Sequence, residues 1–421
     1  MRCRHYEPQG KNHEGKPQVR TNAQNSEPVS KATSELGAKA IEILAKLVAF
    51  PSISSAANQD IIAYIADYFG ELGASVRRLP SEQAGKENLW VTFGKEANEG
   101  IVLSGHVDVV PVAGQDWRRP PFALTREGGK VYGRGTTDMK GFVACVMAAA
   151  SQIDASSLAR PLHVAVTFDE EVGCHGAREL VAFLKQTGTR PAAIFVGEPT
   201  GMAVVDRHKG SVGFTTEIAG KAAHSSQIHL GLNAIPVAAE IIAFLSSLGE
   251  MQKAGQADDA FPYPYPSINV GSVRGGSVRN IVAPACAIDW EVRPILPGQL
   301  TRIKESFSEH VRNKLAEQER LGGLVPEITT HLIYNTPPLI ADVSSEARSL
   351  ALQISGRNGT LAVSYGTEAG IYQEAGFATV VCGPGDIQQA HTADEWIEID
   401  QLEQCVGFLQ RLFEHCADNG R

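Results

Sequence analysis

The most informative feature of the sequence is a histidine and an aspartate at the end of an apolar run. In VLSGHVDVVP, residues 102–111, His106 and Asp108 lie two positions apart. Because side chains alternate along a strand, both point to the same face. An imidazole there can bind a metal ion through one ring nitrogen while the carboxylate accepts a hydrogen bond from the other. The pair therefore predicts a metal site at the end of this strand.

Other possible metal ligands also follow apolar segments. They are Asp138 in YGRGTTDMKG, Glu170 and Glu171 in TFDEEVGCHG, Glu198 in VGEPTG, and His391 after CGPGDIQQA. Each alone has a simpler explanation, because a strand-end acid commonly caps the next helix and a lone histidine is more often hydrogen-bonded than metal-bound. Together, acids at one sheet edge would repel one another and raise their pKa values unless a cation compensated. Two imidazoles among carboxylates favour zinc, with cobalt or manganese as alternatives.

The adjacent pair Glu170 and Glu171 has a further meaning. In an extended chain two neighbouring side chains cannot point the same way. One of them can coordinate a metal ion while the other faces a bound water. That is the arrangement of a general base beside a metal-activated nucleophile.

Strands that alternate with helices would position these residues. The segments SVRRLP, NLWVTFG, GIVLSGHVDVVP, PLHVAVTFDEE and AAIFVGEPT predict strands. The segments SELGAKAIEILAKLVAF, NQDIIAYIADYFGELGA, MKGFVACVMAAASQI and GARELVAFLKQTG predict helices. This order indicates an α/β domain with a mostly parallel mixed sheet and helices on both faces. Such sheets bind ligands at the carboxyl ends of their strands.

A second domain is inserted into the first. From about Gly210 the predicted elements follow the order βαββαβ of a ferredoxin-like unit, and the α/β pattern then returns. We predict a disordered N-terminal extension over 1–38 and the inserted domain over 209–336. The catalytic domain then comprises 39–208 and 337–421.

Composition and charge narrow the class of protein. The 421 residues are 43% hydrophobic and 20% charged, as in a soluble globular protein. A net charge of −9 argues against nucleic acid as the main partner. The 7 scattered cysteines fit a reducing compartment, and no apolar run approaches the roughly 18 residues of a membrane span. We therefore expect a cytoplasmic protein that acts on a small molecule and binds no nucleic acid or membrane.

The strand-end motifs, in this order, resemble those of the M20 family of dinuclear zinc peptidases and deacylases. The resemblance is carried by SGHVDVVP, YGRGTTDMKG, TFDEEVGCHG, VGEPT and QQAHTADEWI, and it runs from about residue 39 to the C-terminus. It implies a zinc-peptidase-like fold in which the inserted domain serves as lid and dimerisation domain. It also implies an enzyme that hydrolyses linear amides with two Zn²⁺ ions per subunit, or Co²⁺ or Mn²⁺ in their place.

The resemblance implies a role for each matching residue of the site. The implied ligands are His106 and Glu198 for one ion, Glu171 and His391 for the other, and Asp138 as the bridge between them. Asp108 would orient His106, and Glu170 would be the general base that later protonates the leaving amine. His224, in GKAAHSS, would reach the partner subunit's site and stabilise the oxyanion. A homodimer is therefore expected.

Five further positions match residues that bind substrate in the family. They are Asn280 in VRNIVAP, Arg293 in DWEVRP, Lys209 in HKGSVGF, and Gly366 and Thr367 in YGTEAG. The guanidinium of Arg293 suits a carboxylate. The simpler explanation is strong for these residues, because an arginine in a strand or a lysine before a glycine is usually only solvated.

Within the family, the closest resemblance is to the acetylornithine deacetylase subgroup. It rests on GEPT, YGTEAG and the GPG…QAH…DE ending. It implies hydrolysis of N2-acetyl-L-ornithine to L-ornithine and acetate, a step of arginine biosynthesis. Succinyl-diaminopimelate desuccinylase and an M20 dipeptidase or carboxypeptidase remain alternatives. A binding pseudoenzyme is a further one, although such proteins usually lose a ligand or the base, and every position is filled here.

Overall fold

The structure, a computed structural model, describes residues 34–95 and 97–417. Its strands are β1 (Ser75–Pro80), β2 (Glu87–Phe93), β3 (Ile101–His106), β4 (Thr125–Glu127), β5 (Lys130–Tyr132), β6 (Leu162–Thr167), β7 (Ala193–Pro199), β8 (Val205–His208), β9 (Ser211–Ala219), β10 (Ser267–Gly275), β11 (Ala285–Arg293), β12 (Glu327–Thr336), β13 (Leu361–Val363), β14 (Thr379–Gly383) and β15 (Trp396–Glu398).

The α-helices are α1 (Glu35–Val48), α2 (Gln59–Glu71), α3 (Lys140–Ala150), α4 (His175–Thr187), α5 (Ala234–Gln252), α6 (Gln299–Arg320), α7 (Glu346–Ser355), α8 (Ala369–Glu374) and α9 (Ile399–Ala417). Short 3-10 helices occur at Ala155–Ser157, Ser225–Leu230 and Ile387–Gln389. Residues 1–33 of the predicted N-terminal extension lie outside the described residues, and α1 begins at Glu35, inside the range predicted for it.

Eight strands form the larger sheet, in the order β1-β2-β6-β3-β7-β14-β8-β13. Its centre is parallel, because β3 pairs with β6 and β7, and β7 pairs with β14, in the same direction. The pairs β1–β2, β2–β6 and β14–β8 are antiparallel. The predicted mixed sheet with a mostly parallel arrangement is confirmed. Because β6, β3 and β7 are parallel neighbours, the residues that follow them meet at one edge.

Helices cover both faces of this sheet, as predicted. On one face α1, α2, α3, α7 and α9 pack over a core that includes Leu44, Phe142 and Leu409. On the other face α4 and α8 pack over a smaller core that includes Leu180 and Tyr372. Each large apolar side chain buried in this way contributes about 1.5–3 kcal/mol. The two cores hold the sheet rigid on both sides of the edge where the candidate ligands lie.

Helix α3 lies entirely inside the molecule. Its sequence KGFVACVMAAA is apolar all round, as a helix without a solvent face requires, and all of its residues are buried. Its one charged residue, Lys140, donates hydrogen bonds to the carbonyls of Leu47 (3.1 Å) and Phe50 (2.8 Å). These carbonyls belong to the end of α1, where helical partners run out. The helix that begins two residues after Asp138 is thus anchored to α1.

Residues 211–336 build the second sheet, in the order β10-β11-β9-β12 with every pair antiparallel. Together with α5 and α6, which pack on one of its faces, the strands follow the predicted βαββαβ order. Helix α5 has the length and hydropathy of a membrane span. However, Ala238, Ile241 and Leu245 on this helix are buried in the core between the helices and the sheet, as expected for a helix of a globular protein.

Two crossovers join the sheets: the first comprises residues 209–210, between β8 and β9, and the second comprises residues 337–339, after β12. They run side by side. His208 exchanges backbone hydrogen bonds with Leu339 at 3.1 and 3.2 Å, and the amide of Gly210 donates to the carbonyl of Pro294 at 2.8 Å. The imidazole of His208 is fully buried, and burial lowers its pKa to about 4. The link between the sheets is therefore a paired and buried segment.

Candidate metal centre and active site

Asp138 lies between two imidazoles. Its Oδ1 is 3.1 Å from Nε2 of His106, and its Oδ2 is 3.2 Å from Nε2 of His391. His106 ends β3, whereas Asp138 is in the loop between β5 and α3 and His391 follows β14. One carboxylate thus faces a histidine on each side, which is the arrangement of a ligand that bridges two cations.

Each imidazole has a second carboxylate. Oε1 of Glu198, at the end of β7, is 3.5 Å from Nε2 of His106. Oε1 and Oε2 of Glu171 are 3.0 and 2.9 Å from Nε2 of His391. The pairs His106 with Glu198 and His391 with Glu171 are the ones that the resemblance implies for the two ions. The structure brings all five predicted ligands together.

Glu170 belongs to the same cluster. One ligand atom each from His106, Glu170 and Glu198 lies within 4.8 Å of the others, and the same holds for His106, Asp138 and Glu171. Because the two groups share His106, they are overlapping parts of one cluster. The donor set of imidazoles and carboxylates suits zinc, cobalt or manganese.

The pKa values of the cluster show that its carboxylates repel one another. Burial, together with the charges of neighbouring acids, raises the pKa of Glu171 to about 7 and of Glu198 to about 8. The same causes raise the pKa of Glu170 well above its usual range. Burial opposes ionisation of Asp138, yet hydrogen bonds from both imidazoles outweigh it and lower its pKa. A divalent cation would relieve this repulsion, so the residues present fit such a group.

Asp108 makes contacts that differ in part from the expected ones. The nearest acceptor to Nδ1 of His106 is the main-chain carbonyl of Asp108 at 2.9 Å, and its carboxylate Oδ1 is farther away at 3.5 Å. The carboxylate accepts hydrogen bonds from the amides of Glu170 (3.1 Å) and Glu171 (3.3 Å), and from the hydroxyl of Ser54 (2.8 Å). Asp108 therefore holds both the histidine and the Glu170–Glu171 turn.

The turn is fixed from its other side by residues that the sequence analysis did not single out. Asp169 has a φ of 50°, a left-handed conformation uncommon for an aspartate. Its carboxylate accepts from Nζ of Lys86 at 2.5 Å and from the amide of Ser55 at 2.8 Å. The ion pair with Lys86 is fully buried. Its partners lie more than eighty residues apart in the chain, so no local pattern could have indicated it.

Glu395 organises the loop that carries Asp138. Its carboxylate accepts from the amides of Gly135, Thr137 and Asp138 at 3.0, 2.9 and 3.1 Å, and from the guanidinium of Arg134 at 2.7 Å. The small sheet β15-β5-β4 brings the two segments together. The motif QQAHTADEWI contains Glu395, but sequence analysis assigned a role only to its histidine.

The predicted residues of the second sheet make contacts with other residues of that sheet and its loops. The amide of Ser225, next to His224, donates to the carbonyl of Asn280 at 3.0 Å, so the structure brings those two loops together. His224 is exposed, and its Nδ1 contacts Ser226 Oγ at 2.7 Å. Arg293 pairs with Glu291 at 3.0 Å. Within the described residues, none of these hydrogen bonds or ion pairs joins the second sheet to the metal centre.

Lys209, Gly366 and Thr367 make mainly structural contacts. The ammonium of Lys209 donates to the carbonyls of Tyr263 (2.7 Å) and Tyr265 (3.0 Å), in the FPYPYP connector. The Thr367 hydroxyl accepts a hydrogen bond at 3.1 Å from the amide of Ala369, the first residue of α8. Gly366 lies against the first crossover, where an added Cβ would be 3.1 Å from the carbonyl oxygen of Lys209.

Tyr365, which the sequence analysis also missed, lies closer to the centre. Its hydroxyl donates to the carbonyl of Pro199 at 2.7 Å, immediately after Glu198. Burial and the charges of Glu198 and Asp138 raise the pKa of the phenol. Its neighbours Gly366 and Thr367 were predicted to bind substrate, whereas Tyr365 was not singled out.

Comparison with known proteins identifies the family. A sequence model of peptidase family M20/M25/M40 matches residues 102–415. A tripeptidase from Staphylococcus aureus has a TM-score of 0.71 at 21% identity, over 90% of this chain and 98% of that one. An M20 family metallo-carboxypeptidase from Sulfolobus solfataricus has a TM-score of 0.71 at 18% identity, over 90% of this chain and 99% of that one. A dinuclear metal-binding M20 peptidase from Bacillus subtilis has a TM-score of 0.65 at 15% identity, over 90% and 97% of the two chains. The structural likenesses establish the fold, and the match to the family model shows that this chain belongs to peptidase family M20/M25/M40.

Proposed function

We propose that this chain is a dinuclear metalloenzyme that removes the acyl group of an N-acyl amino acid, with N2-acetyl-L-ornithine as the first candidate substrate. The observation that carries the proposal is the position of Asp138 between His106 and His391, with Glu198 and Glu171 beside them. His106 and Glu198 would hold one ion, His391 and Glu171 the other, and Asp138 both. Zn²⁺, Co²⁺ or Mn²⁺ suits these donors.

A bound divalent ion would polarise the acyl carbonyl and lower the pKa of an attacking water. The chain itself supplies the proton transfers. Glu170 lies beside His106 and Glu198 and is held by the hydrogen bond from its amide to Asp108. It takes the proton from the attacking water and returns it to the leaving amine.

Positioning of the substrate falls to the residues around the crossovers. Arg293 would exchange its contact with Glu291 for the carboxylate of the substrate, because a guanidinium binds a carboxylate through two parallel hydrogen bonds. Asn280 would approach from the tip of the second sheet. Lys209, whose ammonium is engaged by carbonyl groups, would help to fix the Phe261–Tyr265 connector and not the substrate itself.

We further propose a homodimer in which His224 completes the site of the partner subunit. His224 is exposed, and large apolar side chains lie exposed on the same pair of loops: Ile228 (70%), Leu230 (50%) and Ile281 (44%). Exposed apolar patches of this kind mark interaction surfaces. Inside the partner's site, the imidazole would stabilise the oxyanion that develops on the acyl group.

The dimer can be tested by mixing two inactive variants. Glu170→Gln lacks the base and His224→Ala lacks the oxyanion donor. In a mixed dimer with sites completed in trans, one site carries both defects and the other carries neither. Subunit exchange should therefore restore activity that neither variant has alone. Lack of recovery despite proven exchange, or a monomer by light scattering at assay concentration, would refute the proposal.

Hydrolysis of dipeptides is the second candidate function. Both the tripeptidase and the carboxypeptidase with the same fold are peptidases. The chemistry of the site is the same for both substrate classes, since each requires cleavage of a linear amide.

Succinyl-diaminopimelate is a third candidate substrate. A deacetylase would act in arginine biosynthesis in the cytoplasm.

A substrate panel tests these alternatives. Metal-free protein reconstituted with Zn²⁺ or Co²⁺ would be assayed with N2-acetyl-L-ornithine, N-succinyl-diaminopimelate and a set of dipeptides. We expect the highest kcat/KM with acetylornithine and no turnover in the metal-free protein. A higher kcat/KM with a dipeptide would refute deacetylation as the main activity and support dipeptide hydrolysis. Absence of turnover with every amide, in protein that binds the metal, would refute amide hydrolysis.

A further inference from the structure

A fully buried carboxylate lies behind the candidate metal centre without being one of its ligands. The side chain of Glu368 has no exposed surface. Its Oε1 accepts a hydrogen bond from Oγ of Ser104 at 2.6 Å, and its Oε2 accepts one from Oγ1 of Thr167 at 2.8 Å. The hydroxyl of Tyr372 lies 2.9 Å from Oγ of Ser104 and 3.3 Å from Oε1 of Glu368. Both carboxylate oxygens are thus engaged by hydroxyl groups.

The two hydroxyls belong to the strands that deliver the site. Ser104 precedes His106 by two positions on β3, so both side chains point to the same face. Thr167 is the partner of His106 in the parallel pair of β3 and β6, and it immediately precedes the segment that leads to Glu170. Glu368 therefore connects two neighbouring strands just before their ends become the site.

Glu368 also belongs to a segment that contacts two other parts of the molecule. It directly precedes α8 and ends the segment 365–368. In this segment Tyr365 is bound to the carbonyl after Glu198, and Gly366 lies against the first crossover. A single segment thus contacts the end of β7, the link to the second sheet and, through Glu368, the ends of β3 and β6.

Burial of this acid is unfavourable for stability alone. Removing a carboxylate from water costs several kcal/mol unless its partners compensate, and an apolar side chain of similar size would fill the position more cheaply. A carboxylate is needed at this position if it must accept hydrogen bonds from two hydroxyl groups and hold them at a fixed distance from each other. A carboxylate does this with two oxygens on one rigid group, which neither an amide nor an aliphatic side chain can do.

We propose that Glu368 is a positioning residue: it sets the separation of the strand ends that lead to His106 and Glu170, and it places segment 365–367 against them. The proposal deepens the proposed function and rests on it for the identity of the reaction. It does not rest on any particular substrate. Glu368 acts through Ser104 and Thr167 and not on the reacting atoms.

Two sets of variants test it. Glu368→Gln keeps the shape but turns one acceptor into a donor, so one hydroxyl must reorient. Thr167→Val removes one hydroxyl at constant shape, and Thr167→Ser retains it. The control is Asp206→Asn, since Asp206 is also a buried carboxylate, bound by Arg348 at 2.9 Å and Thr360 at 2.8 Å, but on β8.

Three quantities would be measured on the full chain. The first is the melting temperature. The second is Co²⁺ binding to the metal-free protein, followed by its visible absorption spectrum and by competition with a chelator. The third is kcat and KM on whichever substrate the wild type hydrolyses. The Co²⁺ measurement reports on the site even if no substrate of the panel is turned over.

We expect Glu368→Gln and Thr167→Val to weaken Co²⁺ binding about 10–100-fold, the range found when groups that support metal ligands are lost. Their Co²⁺ spectra should change, and kcat should fall by at least a similar factor while KM changes less than about threefold, because the defect is in alignment of the reacting groups. Thr167→Ser should restore wild-type values. Asp206→Asn should lower the melting temperature and leave Co²⁺ binding, kcat and KM unchanged.

The opposite pattern would overturn the proposal. If Glu368→Gln and Thr167→Val only lower the melting temperature, as Asp206→Asn does, Glu368 is a structural residue. If wild-type protein hydrolyses no amide but the variants still alter Co²⁺ binding, the reaction assignment fails and the positioning role stands. If Glu368→Gln does not fold, the comparison of Thr167→Val with Thr167→Ser decides alone.

Discussion

The two sheets present their candidate functional residues in opposite ways. At the edge of the eight-stranded sheet, His106 and Glu198 are almost fully buried and lie within hydrogen-bond or ion-pair distance of other ligands. On the four-stranded sheet, His224 and Asn280 lie in exposed loops and contact mainly each other's segments. The five candidate ligands all come from one chain, and the side chain of His391 is half-exposed whereas those of the other four are buried. In the proposed dimer, the exposed residues would become part of a site when the partner subunit meets them.

The difference shows how rigidity is divided in this molecule. The metal centre needs several charged groups at fixed positions, and buried strand ends supply them. The candidate residues of the second sheet, His224 and Asn280, lie in exposed loops, where local opening costs less free energy than in a buried sheet. Variants in the two regions should therefore fail in different ways.

The largest expected effect is on turnover, from Glu170→Gln in the buried cluster. The amide cannot accept the proton of the attacking water, so kcat should fall about 10²–10⁴-fold. Metal content by atomic absorption should stay near the wild-type value. Glu179→Gln, an exposed change on the following helix, is the control. Near-normal turnover in Glu170→Gln would exclude it as the base.

Glu395→Ala should be the most destabilising change. It leaves Arg134 buried without its partner and frees three amides of the Asp138 loop, so we expect a loss of about 3–5 kcal/mol in the free energy of unfolding. Denaturant titration measures this loss, and metal affinity should fall with it. Glu398→Ala, an exposed position on β15, should change neither. Equal effects of the two variants would show that Glu395 does not organise the loop.

The buried His208, beside the crossovers between the two sheets, predicts that the folded protein loses stability in acid. Burial lowers the pKa of His208 from 6.5 to about 4, so between these pH values the unfolded chain binds a proton that the folded chain excludes. Stability from this residue is present above pH 6.5 and is lost as pH falls towards 4, up to about 3 kcal/mol.

His163, in the first sheet, has the same lowered pKa from burial. Replacing either histidine by Asn should flatten the fall in unfolding free energy between pH 6.5 and 4, measured by denaturant titration at each pH. His229→Asn, at an exposed position, should leave the slope as in the wild type. An unchanged slope in the His208 variant would contradict the assignment.

The smallest expected effect on stability comes from the exposed region. His224→Ala should change the free energy of unfolding by less than about 0.5 kcal/mol, although activity falls if the imidazole stabilises an oxyanion. Thermal unfolding and metal analysis check the first part. A large loss of stability would mean that His224 supports its own subunit's fold, which would weaken the contrast between the two sheets.

Much of the metal centre could be predicted from the sequence, because its ligands follow strands and parallel strand ends must meet. The alternation of His106 and Asp108 and the acids after β6 and β7 carried this information. Glu395 and Glu368 could not be found in the same way. Apart from Tyr372, their partners lie more than 200 residues away in the chain, and only the assembled sheets bring them within reach.

The local sequence pattern also did not predict strand direction or the hydrogen-bond partners of individual side chains. The strands β1 and β2 were expected, but nothing in their composition shows that they run antiparallel to the centre. Lys209 was predicted to bind substrate. Its ammonium instead donates hydrogen bonds to two main-chain carbonyls of the FPYPYP connector, to which no role had been assigned. Every residue has a main-chain carbonyl, so the residue types do not reveal which carbonyl accepts a hydrogen bond.

The order of the ligands along the chain affects how the protein matures on the ribosome. The second sheet, residues 211–336, is translated between Glu198 and His391. A nascent chain that has just released this sheet lacks both His391 and the Glu395 that shapes the Asp138 loop. Such a chain has no complete set of the five candidate ligands, so a metal ion could be held by all of them only after residues 391–395 have been translated.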